Sequence, residues 1–107
     1  MNNATSTQYT SEETRMRAED CRKSFAFAVK QYNNRFGYEG NETSFFLKCL
    51  GQMLDNSNDA KLVAAACRSA LHVIAPFREY LLLEFAELGR LTYFLEMSVD
   101  RDKSHGA

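Results

Sequence analysis

The chain has 107 residues, 45% apolar and 25% charged, with 13 basic groups against 14 acidic ones and a net charge of −1. That length suits one domain around one hydrophobic core, and the balanced charge excludes the bulk positive field on which nucleic-acid and acidic-membrane binding depend. One Pro and five Gly supply too few turns for an all-β sandwich or barrel. The expected fold is all-α, a compact bundle of about four helices with short loops and mobile polar termini.

Residues 1–9 are small and polar and read as a flexible N-terminal tail. They lack the apolar run of a signal peptide, so a cytoplasmic location is expected. In "TSEE", Thr10 with Glu13 three residues on has the spacing of a capping box and marks the start of a helical domain over residues 10–98. Ala18, Cys21, Phe25, Ala28 or Val29, Tyr32 and Phe36 then recur at steps of three and four, the inner face of a first helix. Gly37 follows as its C-cap. Arg15, Glu19, Arg22 and Lys23 lie outside that stripe as a solvated surface.

After "GYEGNE", Asn41 or Thr43 caps a second helix, "SFFLKCLGQMLD", whose predicted stripe is Phe46, Cys49, Leu50, Met53 and Leu54. Gly51 inside it costs about 1 kcal/mol relative to Ala and points to close approach of a neighbour. "DNSND" is a turn by composition. The third helix, "AKLVAAACRSALHVIA", presents Leu62, Val63, Ala66, Cys67, Ala70, Leu71, Val73 and Ile74, with an Ala-rich centre suited to tight helix packing. Pro76 disfavours helical geometry at Ala75 and pre-sets the first turn of a fourth helix over about residues 76–98.

The fourth helix is apolar on most of its circumference. On a helical wheel Phe77, Leu81, Phe85, Leu88, Thr92, Leu95 and Val99 form a charge-free core stripe. Leu82, Ala86, Gly89 and Tyr93 make a second stripe with a small-residue centre. Tyr80, Leu83, Leu91 and Phe94 make a third, interleaved with Glu84, Glu87 and Arg90. Four-helix bundles have no fully enclosed helix, so part of this surface is expected to meet another molecule. The predicted contact set is Tyr80, Leu83, Glu87, Leu91 and Phe94, for a protein partner or for self-association as a homodimer. "VDRDKSHGA", residues 99–107, reads as a flexible C-terminal tail.

No chemical signature accompanies these elements. Cys21, Cys49 and Cys67 form no CxxC and suit a reducing compartment, where each serves as a small buried hydrophobe. His72 and His105 are too few and too scattered for a metal site. A nucleophilic pair of His72 with Cys21 or Cys49 has no local support. Phosphate-loop and cofactor motifs are missing, no segment approaches a membrane span, and neither a small-molecule substrate nor an enzymatic activity is expected. A helix-turn-helix across Gly51 would run Asn56, Ser57, Asn58 and Asp59 through its recognition helix, against the demands of both helix propensity and phosphate charge. The alternative is a DNA-binding regulator using Arg15, Arg22, Lys23 and Lys30 on the first helix. The main expectation is a small non-enzymatic protein that works by protein contact as an inhibitor, adaptor or regulator, of the kind seen among phage- or plasmid-type accessory proteins.

Overall fold

A computed structural model describes residues 10–36, 42–76 and 83–106. It is an all-α four-helix bundle, with α1 at Glu12–Phe36, α2 at Glu42–Asp55, α3 at Ala60–Ile74 and α4 at Leu83–Gly106. The expected tail at residues 1–9, the caps Gly37 and Asn41, and the apolar positions Phe77, Tyr80, Leu81 and Leu82 lie outside the described residues.

α1 and α4 share the most extensive packing. They run antiparallel, since Ser11 meets Asp102 at one end and the Tyr32 ring meets the Phe85 ring edge-on at the other, with centroids 6.4 Å apart. α3 is antiparallel to α4 as well, through Arg68 to Glu96 and Leu71 to Gly89. α2 packs on α1 and α3 and is the least embedded helix. The core consists of the alternating apolar positions of all four, with Cys21, Ala28, Leu47, Val63, Cys67, Leu88 and Leu95 fully enclosed. Each large apolar side chain removed from water in this way contributes about 1.5–3 kcal/mol.

The expected inner face of α1 is the observed one, through Ala18, Cys21, Phe25, Ala28 and Tyr32. Phe36 departs from it: its ring is partly exposed and leans on Tyr32 at 4.9 Å between centroids. The α4 stripe also matches, with Phe85, Leu88, Thr92, Leu95 and Val99 all buried. In α3 the buried set is Ala60, Val63, Ala64, Ala66, Cys67, Ala70 and Ile74, with Leu62, Leu71 and Val73 at its margin.

Four details differ from the sequence reading. First, α2 is rotated about its axis: Ser44, Leu47, Leu50 and Leu54 point inward, while Phe46 and Met53 stand out in solvent beside Phe45. The smaller face lets α2 sit close, with the Ser44 hydroxyl donating to Asn33 Oδ1 at 2.9 Å and Gly51 over the Phe25 ring. Second, α2 begins at Glu42, so Thr43 belongs to the helix body and does not cap it. Third, Ala75 keeps helical angles (φ −53°, ψ −40°) and its N–H reaches Leu71 O, so Pro76 does not turn the preceding residue away from the helix. Asp59, by contrast, caps α3 as turn chemistry predicts, its carboxylate accepting from Lys61 N–H at 2.9 Å.

The fourth difference concerns both ends of the domain. α4 runs on through residues 99–106 instead of ending in a tail, because the core period continues from Leu95 through Val99 to Asp102. Ser11, not Thr10, caps α1, its hydroxyl oxygen accepting from Thr14 N–H at 3.2 Å. In a capping box a Glu three residues on would accept the cap residue's own N–H. Here Asp102 Oδ2, from the far end of the chain, accepts that Ser11 N–H at 2.8 Å and the buried Thr14 hydroxyl at 2.5 Å. A carboxylate at a helix N-terminus is further favoured by the helix dipole.

Candidate protein-contact face

The inward pull of Phe85, Leu88, Thr92 and Leu95 fixes what α4 turns outward. Leu83 is 84% exposed, Tyr93 56% and Met97 43%, and Ala86 and Arg90 lie exposed between them. These five residues follow one another at steps of three, four, three and four. That spacing is the a/d spacing of a helix seam. It runs along the side of α4 opposite the core, and at 1.5 Å per residue it is about 21 Å long.

The sequence-predicted contact residues divide around this seam. Leu83 opens it. Glu87 is exposed beside it and is held by Arg90, whose Nε and Nη2 donate to the two carboxylate oxygens at 3.0 and 2.5 Å. That bidentate bond keeps the Glu87 carboxyl below the usual carboxylate range. Leu91 is half-buried and packs against the core. Phe94 is half-buried as well, its ring flanked by two guanidinium groups, Arg17 at 5.2 Å and Arg90 at 5.7 Å from the centroid. Arg17 also donates to Phe94 O at 3.3 Å. Much of the Phe94 ring is therefore engaged within the molecule, through cation–π contacts worth about 0.5–1 kcal/mol each at exposed sites. Tyr80 lies outside the described residues.

Sequence reasoning put Tyr93 in a different stripe and gave Met97 no role. Both were detectable from their position opposite Leu95 and Val99 on the wheel. The Tyr93 ring leans on Phe94 at 5.8 Å, which orders it at the edge of the seam. At the C-terminal end, Glu13 accepts from Arg17 at 2.8 Å and from Arg101 at 3.2 Å, tying the rim of α4 to α1. On the flank toward α3, Arg68 grips Glu96 through two donors at 3.1 and 2.7 Å.

The alternative basic set is spread along about 22 Å of α1. Arg15 and Arg22 line a cleft of about 360 Å³ with Thr10, Ala18, Glu19, Asn58 and Ala60. Arg15 is paired there with Glu12, and Glu19 lies between the two arginines. Lys23 and Lys30 are exposed and lie outside the lining of that cleft. The arrangement does not converge on one phosphate. His72 is exposed while Cys21 is fully buried, so the two do not meet as a nucleophile and base. Among the described residues no group of His, Cys, Asp and Glu is placed to hold a metal ion, and no helix is long and apolar enough to cross a membrane. In comparisons with protein-family models, with curated proteins and with solved structures, nothing matches the chain.

Proposed function

We propose that this is a non-enzymatic helical protein that acts through protein–protein contact, as an inhibitor, adaptor or regulator. The observation that supports this reading is the outward seam of α4, where Leu83, Ala86, Tyr93 and Met97 stay exposed at helix-pairing spacing. Large apolar and aromatic side chains framed by Glu87 and Arg90 match the composition of interface cores more closely than that of ordinary surface. A second helix, from another copy of this chain in the first instance, fits such a seam.

Its dimensions set the strength. A strip about 21 Å long and about 10 Å wide offers a few hundred Å² per partner, short of the about 800 Å² per partner of a standard stable interface. Association through this seam alone is therefore weak and concentration-dependent. Sedimentation equilibrium over about a hundredfold concentration range tests it. The expected result is reversible association that is abolished by Leu83→Asp with Tyr93→Asp, at unchanged helicity. Because both side chains are exposed, loss of helicity in that variant would place them in the core and refute the reading. A monomer at every concentration would remove the self-association form and leave a helix of a different protein as the occupant.

A further inference from the structure

α2 carries a second apolar line that the bundle leaves uncovered. Phe45 is 65% exposed, Met53 44% and Phe46 40%, and half-buried Cys49 lies between them. All four sit on the side of α2 opposite its buried Leu47, Leu50 and Leu54, with the uncharged Gln52 exposed beside them. α2 has 14 residues and is therefore about 21 Å long, the length of the α4 seam.

Where the two lines point decides what they can meet. α2 and α4 each pack on α1 and α3 but hardly touch each other, so they occupy opposite corners of the bundle. Their outward faces look away from one another, and α2 cannot cover the α4 seam of its own molecule.

We propose that the helix filling the α4 seam is α2 of a second copy, an inference that rests on the seam being a contact face. Charge favours this occupant. Arg90 is the middle of the five seam residues, so a second α4 laid centrally along it would set Arg90 against Arg90, and like charges across an interface are penalised. The middle of the α2 line carries no charge, and its two Phe rings offer a guanidinium the aromatic faces it prefers. Size favours it as well: Ala86 on α4 and Cys49 on α2 are the short positions, leaving gaps that the long side chains of the other line can fill. Because the contact joins unlike faces on opposite sides of the molecule, a joined pair still presents one free α2 line and one free α4 seam. Assembly is therefore head-to-tail and open, and does not close as a dimer.

Two full-length variants, run alone and mixed in sedimentation equilibrium, test this. Phe45→Asp with Met53→Asp disables the α2 line, and Leu83→Asp with Tyr93→Asp disables the α4 seam; all four side chains are exposed, and circular dichroism checks that helicity is unchanged. The unchanged protein should grow past twice the monomer mass as concentration rises. Each variant alone should stay monomeric over the same range. An equimolar mixture should stop at twice the monomer mass, because only one intact pair of faces remains. If the α2 variant associates as the unchanged protein does, or the mixture stays monomeric, α2 is not the occupant: this inference falls while the α4 contact face stands. If the unchanged protein is monomeric at every concentration, the self-association form of that reading falls with it. A second measurement avoids the added charges. A short bis-maleimide applied to Ala86→Cys should join Cys49 of one copy to position 86 of another, as located by peptide mapping, with Cys21 and Cys67 spared by burial. Links between like positions only, or none, would overturn the proposal.

Discussion

Replacing Asp102 by Ala should destabilise the bundle out of proportion to a change four residues from the end of the last helix. Asp102 accepts two hydrogen bonds, from Ser11 N–H at 2.8 Å and from the Thr14 hydroxyl at 2.5 Å. Bonds to a charged acceptor are worth about 1.5–3 kcal/mol each, which sets an upper bound of about 3–6 kcal/mol. Relaxation lowers it, since Ser11 is exposed and its N–H can turn to water. The Thr14 hydroxyl is fully buried, with only the Ser11 hydroxyl, 3.0 Å away, as a fallback partner. The expected loss is about 2–3 kcal/mol, read from the urea midpoint at constant slope. Removing the stranded hydroxyl should restore part of that loss, so the Asp102→Ala, Thr14→Val double variant should show a coupling of about 1 kcal/mol. The same carboxylate predicts a pH effect. Burial works to raise its pKa, but the bonds from Ser11 and Thr14 and the charge of Arg101 outweigh it and hold the folded value below the usual one. The unfolded state therefore binds the proton first, and Asp102's contribution is full above its unfolded pKa of about 3.9 and fades as pH falls through the lower folded value. Asp102→Asn should flatten the stability profile in that window. A loss under about 0.5 kcal/mol, additive with Thr14→Val, would refute the argument that this end is clamped.

Two further perturbations follow from the same packing. A methyl group at Gly51 would lie 3.5 Å from the Phe25 ring and one at Gly89 3.9 Å from the Leu71 methyls, both ordinary contacts, so Gly51→Ala and Gly89→Ala should each stabilise by up to about 1 kcal/mol through helix propensity; a lower thermal midpoint in either would show that the neighbouring helix has no room to spare. The Arg68–Glu96 pair is bidentate but partly exposed, so Glu96→Gln should cost only about 0.5–1 kcal/mol and the cost should shrink in high salt, measured as the change in midpoint between low and high ionic strength.

How legible the fold was depended on where the deciding information lay. The inner faces of α1 and α4 follow from local periodicity, because their core positions are apolar and the opposite positions carry charge or, on α4, a separate apolar line. α2 defeated that logic. It carries two apolar faces of similar size, and a wheel favours the one with Phe46 and Met53. The choice of the other face depends on tertiary contacts to Asn33 and Phe25, which no window of α2 contains. Asp102 was hidden for a similar reason: its partners are 88 and 91 positions away, and its neighbours read as a polar tail. The continuing step from Leu95 to Val99 to Asp102 was the one available signal. The seam on α4 was half legible, since its excess of apolar residues is plain in sequence. Which of them point outward follows only from the core stripe, and Phe94's engagement with Arg17 depends on α1.

The clamp between Ser11 and Asp102 also orders events during synthesis. A helical bundle usually folds quickly because its contacts are local, yet here the most extensive helix pair joins the first helix to the last. On a ribosome adding about 5–20 residues per second, α1 emerges with Phe25 and Tyr32 on an open face. It must wait for α4 to supply Phe85, Leu95 and finally the acceptor that completes its cap. Until residue 102 is free of the exit tunnel, α1, α2 and α3 are a collapsed set without their closing member. Completion of this bundle therefore waits for α4 to leave the tunnel, and a chaperone that binds apolar helix faces has its longest opportunity at α1.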